Sequence, residues 1–530
     1  MKKILLFILG MLLWTLAFPQ REFHVFPENH KHTPGTQAGD GSLQNPWDLQ
    51  TAFNQKPAAV TGGDTLWLHG GIYSGRFISQ LNSTETGKYI TVSAYKNEKV
   101  VLNGNVSSEL KAVLQVKGKQ VIYKNFEITF LGEFSRNAKD KSFEKVAGIN
   151  HTNGMNCQFI NLQIHDVPGL GFGSWNSTAG TVIESCFIYN NGFIDANGKG
   201  GGEGMYIQNS SDTQTRIIKN NTIFNTYYKG IEVWSANRDA RREYVKNITL
   251  ENNVIFNSGL PSGYTVDNII VGSDDRNGIN IARNITLNNN ILYHNTDFSK
   301  NEVNGNAPSL TLGFTKNAPV ENIHVDHNLI LGRNNALRLL HVKSVHFSNN
   351  TVYSGYIHTQ KQTLQHMLDS KSTFKNNLFY TKNAKPILFP KGEKHGIKAI
   401  AHPFDSSANN RFEHLKAFDV NPILDVSSTA FAPHAYRVVL FSKKEENVTV
   451  TFSKQNLAEN LRYVIRDVEN LSESVKTGTV PSDKKIVFPM KLNQRKANKT
   501  LDNFGVFIIE FHKAEPQKTG FFTKLFGWMF

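Results

Sequence analysis

The sequence predicts an all-β protein, a right-handed parallel β-helix followed by a small antiparallel β-sandwich. A polar pair, usually two asparagines, recurs and each time precedes a short apolar run: NNTIFN at 220–225, NNVIFN at 252–257, NNILYH at 289–294, HNLILG at 327–332, NNTVYS at 349–354 and NNLFYT at 376–381. The copies recur at unequal intervals along the chain, and each has a second short strand upstream. Variable spacing of this kind is typical of a solenoid whose corner loops differ in length.

The second residue of each phrase, always asparagine, is predicted to lie at a corner of its coil. The apolar residues after it alternate in the manner of a strand that faces a core. Equivalent side chains in neighbouring coils then lie about 4.8 Å apart, the spacing of adjacent strands, which lets their amides form hydrogen bonds. We expect a structural column of asparagines.

The first segment, residues 1–20, has the features of a secretory signal. Lys2 and Lys3 precede an uninterrupted apolar run, which ends near Ala17 and gives way to Gln20. The run is too short for a transmembrane helix. We therefore predict export to the periplasm or the medium and no transmembrane segment.

The rest of the chain divides into four predicted segments. Residues 21–385 form the β-helix, in which the stretch 48–54 is a helical cap over the open end. A proline-containing linker follows at 386–430. Alternating strands at 431–515 predict the sandwich, and 516–530 form an apolar tail too short to span a membrane. We expect a monomer.

Charge and cysteine content indicate the partner and the redox state. The net charge is +14, or +12 once Lys2 and Lys3 leave with the signal. An exported basic protein rarely meets nucleic acid, so we expect an acidic polysaccharide or oligosaccharide as the partner; a generic basic surface is the alternative. Cys157 and Cys186 are separated by about one repeat and are interpreted as equivalent positions in adjacent coils, either as stacked thiols or as a disulfide.

One strand of each coil can be aligned on its turn residues. The aligned segments are GINHT from Gly148, GFGSW from Gly171, GMYIQ from Gly204, GIEVW from Gly230, NIIVG from Asn268, SLTLG from Ser309 and ALRLL from Ala336. Their second positions are all apolar and their fourth positions are mostly so, which predicts that both face the core. The third and fifth positions then face outward.

The outward positions of three successive coils form the candidate active site. They hold Trp175, Tyr206, Gln208, Glu232 and Trp234. Exposed aromatic rings stack on sugar faces, and amide or carboxylate groups bind hydroxyls, so these residues are a candidate saccharide floor. The alternative is that long neighbouring loops simply cover the aromatic rings.

Cationic residues border the same positions, among them Lys229 and Arg276. Elimination beside a uronate carboxylate requires neutralisation of that carboxylate, because only then does the C5 proton become acidic. Tyr206, His165 or Lys229 is the candidate base. Further along the wall, Arg338 and Asp274 are candidates for binding substrate, as are Trp175, Gln208 and Trp234.

Two other interpretations use the carboxylates. An aspartate, Asp274 or Asp275, with Glu232 or Glu203 as the second carboxylate could hydrolyse a glycosidic bond, one as the acid and the other as the base or nucleophile. No cofactor is certain; calcium is the one candidate, with Asp274, Asp275 and Glu232 as ligands, although no spacing matches a dedicated calcium loop.

Several motifs resemble the pectate-lyase-like superfamily of right-handed parallel β-helix proteins over residues 23–385. They are GDGSLQNPWDLQTAF, GDTLWLHGGIYSGRF, FINLQIHDVPGLGFGSW and EGMYIQN. Within the superfamily they look like a secreted bacterial carbohydrate-active branch with a closing sandwich, here YVIRDVEN through FGVFIIE. The resemblance implies lyase or hydrolase chemistry on saccharides. The polygalacturonase set of NTD, DD, GHG and RIK is absent in that order, so the reaction itself is not implied.

We therefore expect a secreted enzyme that acts on uronate-containing glycans, such as those of the ulvan type, by β-elimination to a 4,5-unsaturated uronate. A sugar leaving group makes it a polysaccharide lyase, and a terminal hydroxyl makes it an oligosaccharide dehydratase. The alternatives are a glycoside hydrolase with paired carboxylates and a non-catalytic glycan-binding protein.

Overall fold

The structure is a computed structural model. It describes residues 20–513 except 97, 297, 299–304, 361–362, 364–365, 367–371, 385–386, 391–396, 399–407, 456, 458–459 and 493–499. The predicted signal, apart from Gln20, and the apolar tail therefore lie outside the described residues. Within those residues, no helix is both long enough and apolar enough to cross a membrane.

Two units make up the chain, residues 1–418 and 419–530. In its described residues, the first is a parallel β-helix with three sheets of twelve strands each. Sheet A contains Glu22–Val25, Thr65–Leu68, Ile90–Ala94, Val121–Lys124, Gln158–Ile160, Val182–Glu184, Arg216–Lys219, Lys246–Glu251, Arg283–Asn288, Glu321–Asp326, Val345–Ser348 and Thr373–Lys375. Sheet B contains Gly71–Ser74, Val100–Asn103, Glu127–Thr129, Gln163–His165, Phe187–Tyr189, Thr222–Phe224, Val254–Phe256, Ile291–Tyr293, Leu329–Leu331, Thr351–Tyr353, Leu378–Thr381 and Arg411–His414. Sheet C contains Phe77–Ser79, Ala112–Val116, Ala147–His151, Phe172–Ser174, Met205–Ile207, Ile231–Ser235, Ile269–Ser273, Leu310–Leu312, Leu337–Leu339, Ile357–Thr359, Ile387–Pro390 and Ile397–Lys398.

The core is formed by alternate side chains of each strand, because successive side chains point to opposite faces and one face of every strand lies inside the coil. Each coil contributes inward Ile, Leu, Val and Phe side chains that form one continuous cluster. The turns before the strands of sheet C are tight: a Cβ at Gly204 would lie 2.6 Å from the carbonyl oxygen of Gly230, and one at Gly230 would lie 2.6 Å from that of Asn268. Glycine is therefore required at these corners.

The predicted asparagine column is confirmed. Each Nδ2 donates to the Oδ1 of the next member at 2.9–3.2 Å, through Asn221, Asn253, Asn290, Asn328, Asn350, Asn377 and Asn410. Every member is buried. The residue before each one has a positive φ, such as 53° at Asn289, a conformation that asparagine tolerates better than most residues.

The last member of this column corrects the predicted end of the β-helix at residue 385. Asn410 accepts hydrogen bonds from Asn377 N and Nδ2 at 3.1 and 2.9 Å, and the strand Arg411–His414 extends sheet B in parallel. The segment Asn409–His414 is thus a further copy of the repeated phrase. This copy could not be recognised from its sequence, because Arg411 and Glu413 replace the usual apolar residues. The predicted linker 386–430 accordingly holds strands of both units.

The opening cap forms as predicted. A short helix, Leu49–Phe53, begins after Asp48, whose carboxylate accepts the backbone N–H of Thr51 at 2.8 Å. The amide of Gln50 pairs with both backbone groups of Ile78, at 2.9 and 3.0 Å, on the first strand of sheet C. The helix therefore covers an edge that would otherwise present unpaired backbone groups.

Both cysteines are free and buried, which agrees with the alternative of two thiols and not with that of a disulfide. Cys157 precedes a strand of sheet A, whereas Cys186 precedes a strand of sheet B. One coil here runs only from Gln158 to Val182, so the longer separation between the two cysteines crosses to another sheet. The interpretation of the two thiols as equivalent positions is therefore wrong.

The second unit is antiparallel. Its five-stranded sheet has the spatial order Ile423–Ser428, Ala435–Phe441, Phe504–Lys513, Leu461–Asp467 and Ser474–Thr479. A two-stranded sheet, Val448–Thr451 with Lys485–Phe488, shares its core with the first. This arrangement agrees with the predicted sandwich.

Short elements complete the described chain. A hairpin pairs Phe193–Ile194 with Gly200–Gly201. The 3-10 turns are Leu260–Ser262, Leu415–Ala417, Ser453–Gln455 and Val468–Asn470.

Candidate functional site

The register predicted for sheet C is confirmed across all seven aligned coils. The outward third positions are Asn150, Gly173, Tyr206, Glu232, Ile270, Thr311 and Arg338, each opposite the next. We call this row, with the fifth positions beside it, the sheet C wall. Tyr206 and Glu232 are therefore direct neighbours on adjacent strands.

The wall is less open than its outward orientation implies. Gln208, Glu232 and Trp234 are only 5%, 4% and 7% exposed, whereas Trp175 and Tyr206 are half-buried. The ring of Phe314 packs edge-on against Trp234, with ring centroids 4.9 Å apart. Loop residues thus cover part of the wall, and the charged groups beneath them lie in a largely desolvated environment.

A buried ion pair occupies the centre of the wall. Lys229 Nζ donates to Glu232 Oε1 at 2.5 Å, and the same ammonium lies 5.5 Å from the ring centroid of Trp234. Burial raises the pKa of Glu232 to about 7, and nearby Glu203 adds to the rise while Lys229 opposes it. Burial tends to lower the pKa of Lys229, but Glu232 and Asp267 more than compensate, and the net direction is upward. Lys229 therefore stays charged at neutral pH.

Tyr206 lies beside this pair as a neutral phenol. Burial is the main cause that raises its pKa, and the charges of Glu232 and Glu203 act in the same direction. Its hydroxyl oxygen accepts the backbone N–H of Ala236 at 3.1 Å, and its ring centroid is 5.1 Å from that of Trp175. The phenolic proton is therefore available for donation.

The amide of Gln208 stabilises the floor of the wall. Its Nε2 donates to the carbonyl oxygen of Trp234 at 3.1 Å, and its Oε1 accepts from Asn176 at 3.4 Å. Both contacts are within the protein, so Gln208 supports the strand that carries Trp234.

Asp267 is a site residue that the sequence analysis missed. Arg338 Nη2 donates to both of its carboxylate oxygens, at 2.6 and 2.9 Å, and Arg338 Nε donates to Thr311 Oγ1 at 2.6 Å. Asp267 directly precedes its aligned strand segment, as Lys229 and Glu203 precede theirs. The predicted substrate-binding group Arg338 is therefore already engaged by a carboxylate.

Asp274 and Asp275 have separate partners. Asp274 accepts from Arg238 Nε at 2.8 Å and also from Arg276 Nη2. Asp275 accepts four backbone N–H groups, from Ala240, Asn277, Ile279 and Asn280. Within the described residues, no group of three or more His, Cys, Asp or Glu side chains is arranged to hold a metal ion. The predicted calcium ligands Asp274, Asp275 and Glu232 do not converge and do not fit such a site.

His165 does not belong to this site, which corrects its assignment as a candidate base. It lies on sheet B, with Nδ1 2.8 Å from Asp166 Oδ2 and Nε2 3.2 Å from Glu127 Oε1. Its ring stacks on Tyr189 at 4.6 Å. Burial lowers the pKa of His165, but the two carboxylates raise it by more. The sequence places His165 shortly before Trp175 along the chain, but the corner between the two sheets separates them.

A cavity of about 570 Å³ adjoins the wall beside Trp175. Its lining includes aromatic, cationic and amide side chains: Lys111, Phe143, Glu144, Lys145, Ala147, Asn150, Leu170 and Trp175. Glu144 is held by Arg76 at 2.7 Å and by Lys111 at 2.8 Å. The cavity is therefore large enough for a sugar unit, and its lining includes aromatic rings and two lysines.

Arg216 supports the same end of the wall from inside the coil. It occupies an inward position of sheet A, is fully buried, and has no carboxylate partner within the described residues. Its guanidinium donates to Ser174 O at 2.9 Å, Trp175 O at 3.2 Å and Thr178 Oγ1 at 2.6 Å. Burial lowers its pKa to about 9. Arg216 therefore fixes the backbone that carries Trp175.

Arg216→Met is expected to lower the free energy of unfolding of the first unit by about 2 kcal/mol, because several buried acceptors lose their donor while a costly buried charge is also removed. Urea unfolding monitored by tryptophan fluorescence measures the change. Arg462→Met, on the exposed face of a strand of the second unit, is the control and should change stability by less than about 0.5 kcal/mol. Equal effects of the two substitutions would contradict the assignment.

No family model matches the chain, and no curated protein matches it significantly. A solved rhamnogalacturonan lyase is similar, with a TM-score of 0.50 and 16% identity, over 67% of this chain and 87% of that chain. The chain has the parallel β-helix fold. The pectate lyase Pel9A matches this β-helix with a TM-score of 0.45 and 15% identity over 77% of this chain and 83% of its own. PfbA, a surface adhesin of Streptococcus pneumoniae, matches with a TM-score of 0.41 and 14% identity over 66% and 90%.

Proposed function

We propose that the protein is an exported carbohydrate-active enzyme that acts on uronate-containing glycans by β-elimination. The buried Lys229–Glu232 pair, directly beside the neutral phenol of Tyr206 on the sheet C wall, is the observation that carries the proposal. The basic net charge of the chain favours an acidic substrate. The fold shared with a rhamnogalacturonan lyase supports the class of enzyme by analogy.

The three side chains supply the three functions that elimination requires. The substrate carboxylate competes with Glu232 for the charged Lys229, which neutralises the uronate and makes its C5 proton acidic. Glu232, released from its counter-ion, accepts that proton. The C5–H electrons form the C4=C5 double bond, the C4–O4 bond breaks, and Tyr206 donates its proton to the departing oxygen. The products are a 4,5-unsaturated uronate and an alcohol or water.

A panel of ulvan, alginate, pectin and glycosaminoglycan fragments tests the proposal. We expect ultraviolet absorbance from the unsaturated uronate on at least one of them, with products confirmed by mass spectrometry. Chain-length analysis then separates a lyase, which shortens the chain, from a dehydratase, which removes only water. Turnover without this absorbance would contradict elimination, and binding without turnover would indicate a glycan-binding protein.

A glycoside hydrolase is the second candidate, because Asp267 and Glu203 lie close enough to influence the pKa of Glu232. A carboxyl group with a raised pKa suits a general acid, and a neighbouring carboxylate could act as the base or nucleophile. New reducing ends without unsaturated product would favour this reaction.

The pH dependence separates the two candidates. A general base must be deprotonated, so kcat/KM for elimination should rise with pH and level off above about 7, the pKa of Glu232. A hydrolase that uses Glu232 as its acid needs the protonated form and should lose activity as the pH rises through the same value. Initial rates across a buffer series of constant ionic strength measure the profile. A loss of activity as the pH rises through about 7 would contradict the role of Glu232 as a base.

A further inference from the structure

Beyond Trp234, the turns that follow three strands of sheet C form a cationic cluster. Arg238 Nε and Arg276 Nη2 bind the two oxygens of Asp274, whose side chain is only 10% exposed, whereas the two arginine side chains are 70% and 51% exposed. The backbone joins these turns, since Arg276 N donates to Arg238 O at 2.8 Å. Asn317 Nδ2 in turn donates to Arg276 O at 2.6 Å. The cluster is therefore held by hydrogen bonds across three coils.

Arg238 and Arg276 share one carboxylate, that of Asp274, because the neighbouring carboxylate of Asp275 accepts backbone N–H groups instead. Each guanidinium has five N–H donors, and Asp274 uses one from each. Within the described part of the chain, neither side chain of Arg238 or Arg276 has another hydrogen-bonding partner. Asp274 fixes the orientation of both forks, which reduces the entropy lost when an anion binds. The remaining donors suit the paired oxygens of a carboxylate or a sulfate.

An exposed aromatic ring lies beside the cluster. Phe314 is 44% exposed and follows the strand Leu310–Leu312, which pairs with the strand that precedes Arg276. The ring of Trp234 contacts that of Phe314 and lies over Gly272. A Cβ added at Gly272 would lie 3.2 Å from Trp234 Cζ3, so a larger residue there would crowd the indole ring. The exposed face of the phenyl ring is suited to stacking on the apolar face of a sugar ring.

We infer that Arg238, Arg276 and Phe314 form a second subsite, which binds an anionic substituent, carboxylate or sulfate ester, on a sugar beyond the reacting uronate. Phe314 stacks on the ring of this sugar while the two guanidinium groups bind its charge. The inference rests on the proposed function, because it places the second sugar in the same glycan chain.

The test compares the Arg238→Gln/Arg276→Gln double variant and Phe314→Ala with the unmodified full-length protein. The control is Arg462→Gln/Lys444→Gln, which removes the same charge from exposed positions of the second unit. Affinity electrophoresis measures binding to a sulfated uronate polysaccharide, to its desulfated form and to a neutral glucan. We expect the double variant to lose about ten-fold or more in affinity for an anionic ligand, and Phe314→Ala to lose affinity for the same ligand, with the control unchanged.

The outcomes identify the anion. A loss confined to the sulfated ligand assigns a sulfate ester, and an equal loss on both anionic ligands assigns a carboxylate. An equal loss in the control, or no loss in the double variant, overturns the inference. Binding is measured without turnover, so an arginine-dependent affinity with no unsaturated product would overturn only the proposed reaction. Where turnover occurs, KM should rise about ten-fold with kcat nearly constant.

Discussion

Glu232→Gln is expected to lower kcat for elimination by roughly 10²- to 10⁴-fold, the range that a positioned general base contributes. Glutamine keeps the shape of the side chain and can still accept a hydrogen bond from Lys229, but it cannot take the C5 proton. Tyr206→Phe should also reduce kcat, because the leaving oxygen loses its proton donor. Initial rates of unsaturated product at saturating substrate measure both changes.

Glu203→Gln is the matched control for this prediction. Glu203 helps to raise the pKa of Glu232, so the control should retain most of its kcat while the acidic limb of the pH profile moves to lower pH. Thermal unfolding of each variant establishes that the wall remains folded. Retention of elimination within ten-fold of the unmodified rate by Glu232→Gln would exclude Glu232 as the base.

Asn290→Ala is expected to destabilise the β-helix by roughly 3 kcal/mol or more, since each buried polar group left without a partner costs about 1–3 kcal/mol. Asn290 Oδ1 accepts from Asn253 N at 3.1 Å and from Asn253 Nδ2 at 3.0 Å. Its Nδ2 donates to Leu250 O at 3.0 Å and to Asn328 Oδ1 at 2.9 Å. Alanine removes all four bonds in the interior of the column.

The control for the column is Asn284→Gly, which removes an amide pair from the exposed outer row. Asn284 Nδ2 donates to Asn247 Oδ1 at 3.0 Å, and glycine accommodates its φ of 55° without strain. We expect it to cost less than about 1 kcal/mol, because water replaces the lost hydrogen bonds. Urea unfolding of the first unit measures both variants. Similar costs for the two substitutions would show that the buried column contributes no more than a surface one.

Strand phase in this protein could be predicted from sequence, because apolar alternation and corner residues recur in every coil. That is why Tyr206 and Glu232 were correctly placed on one wall. Partners from other columns could not be predicted in the same way: Asp267 is a single carboxylate before a strand, and Arg216 occupies an inward position where an aliphatic residue is expected. Their roles depend on contacts between coils and between sheets.

Loop coverage could be predicted only as an alternative, without the residue that provides it. The burial of Trp234 depends on Phe314, which lies two coils away and has no periodic signal of its own. Coverage decides the electrostatics of the wall, because burial is the largest cause of the raised pKa of Glu232. Residue types alone therefore indicated which groups could react. They did not indicate the protonation states, which decide which group is the base and which is the acid.

The uneven lengths of the coils have a consequence for how such a chain can change. Successive coils are of clearly different length between Met205, Ile231, Ile269, Leu310 and Leu337, yet all five remain in register. One residue added within a strand would turn its core side chains toward water, whereas a longer excursion between strands leaves the stacking intact. Residues can thus be gained or lost in the loops or as complete coils. The loops around the sheet C wall can therefore change while the stacked strands stay the same.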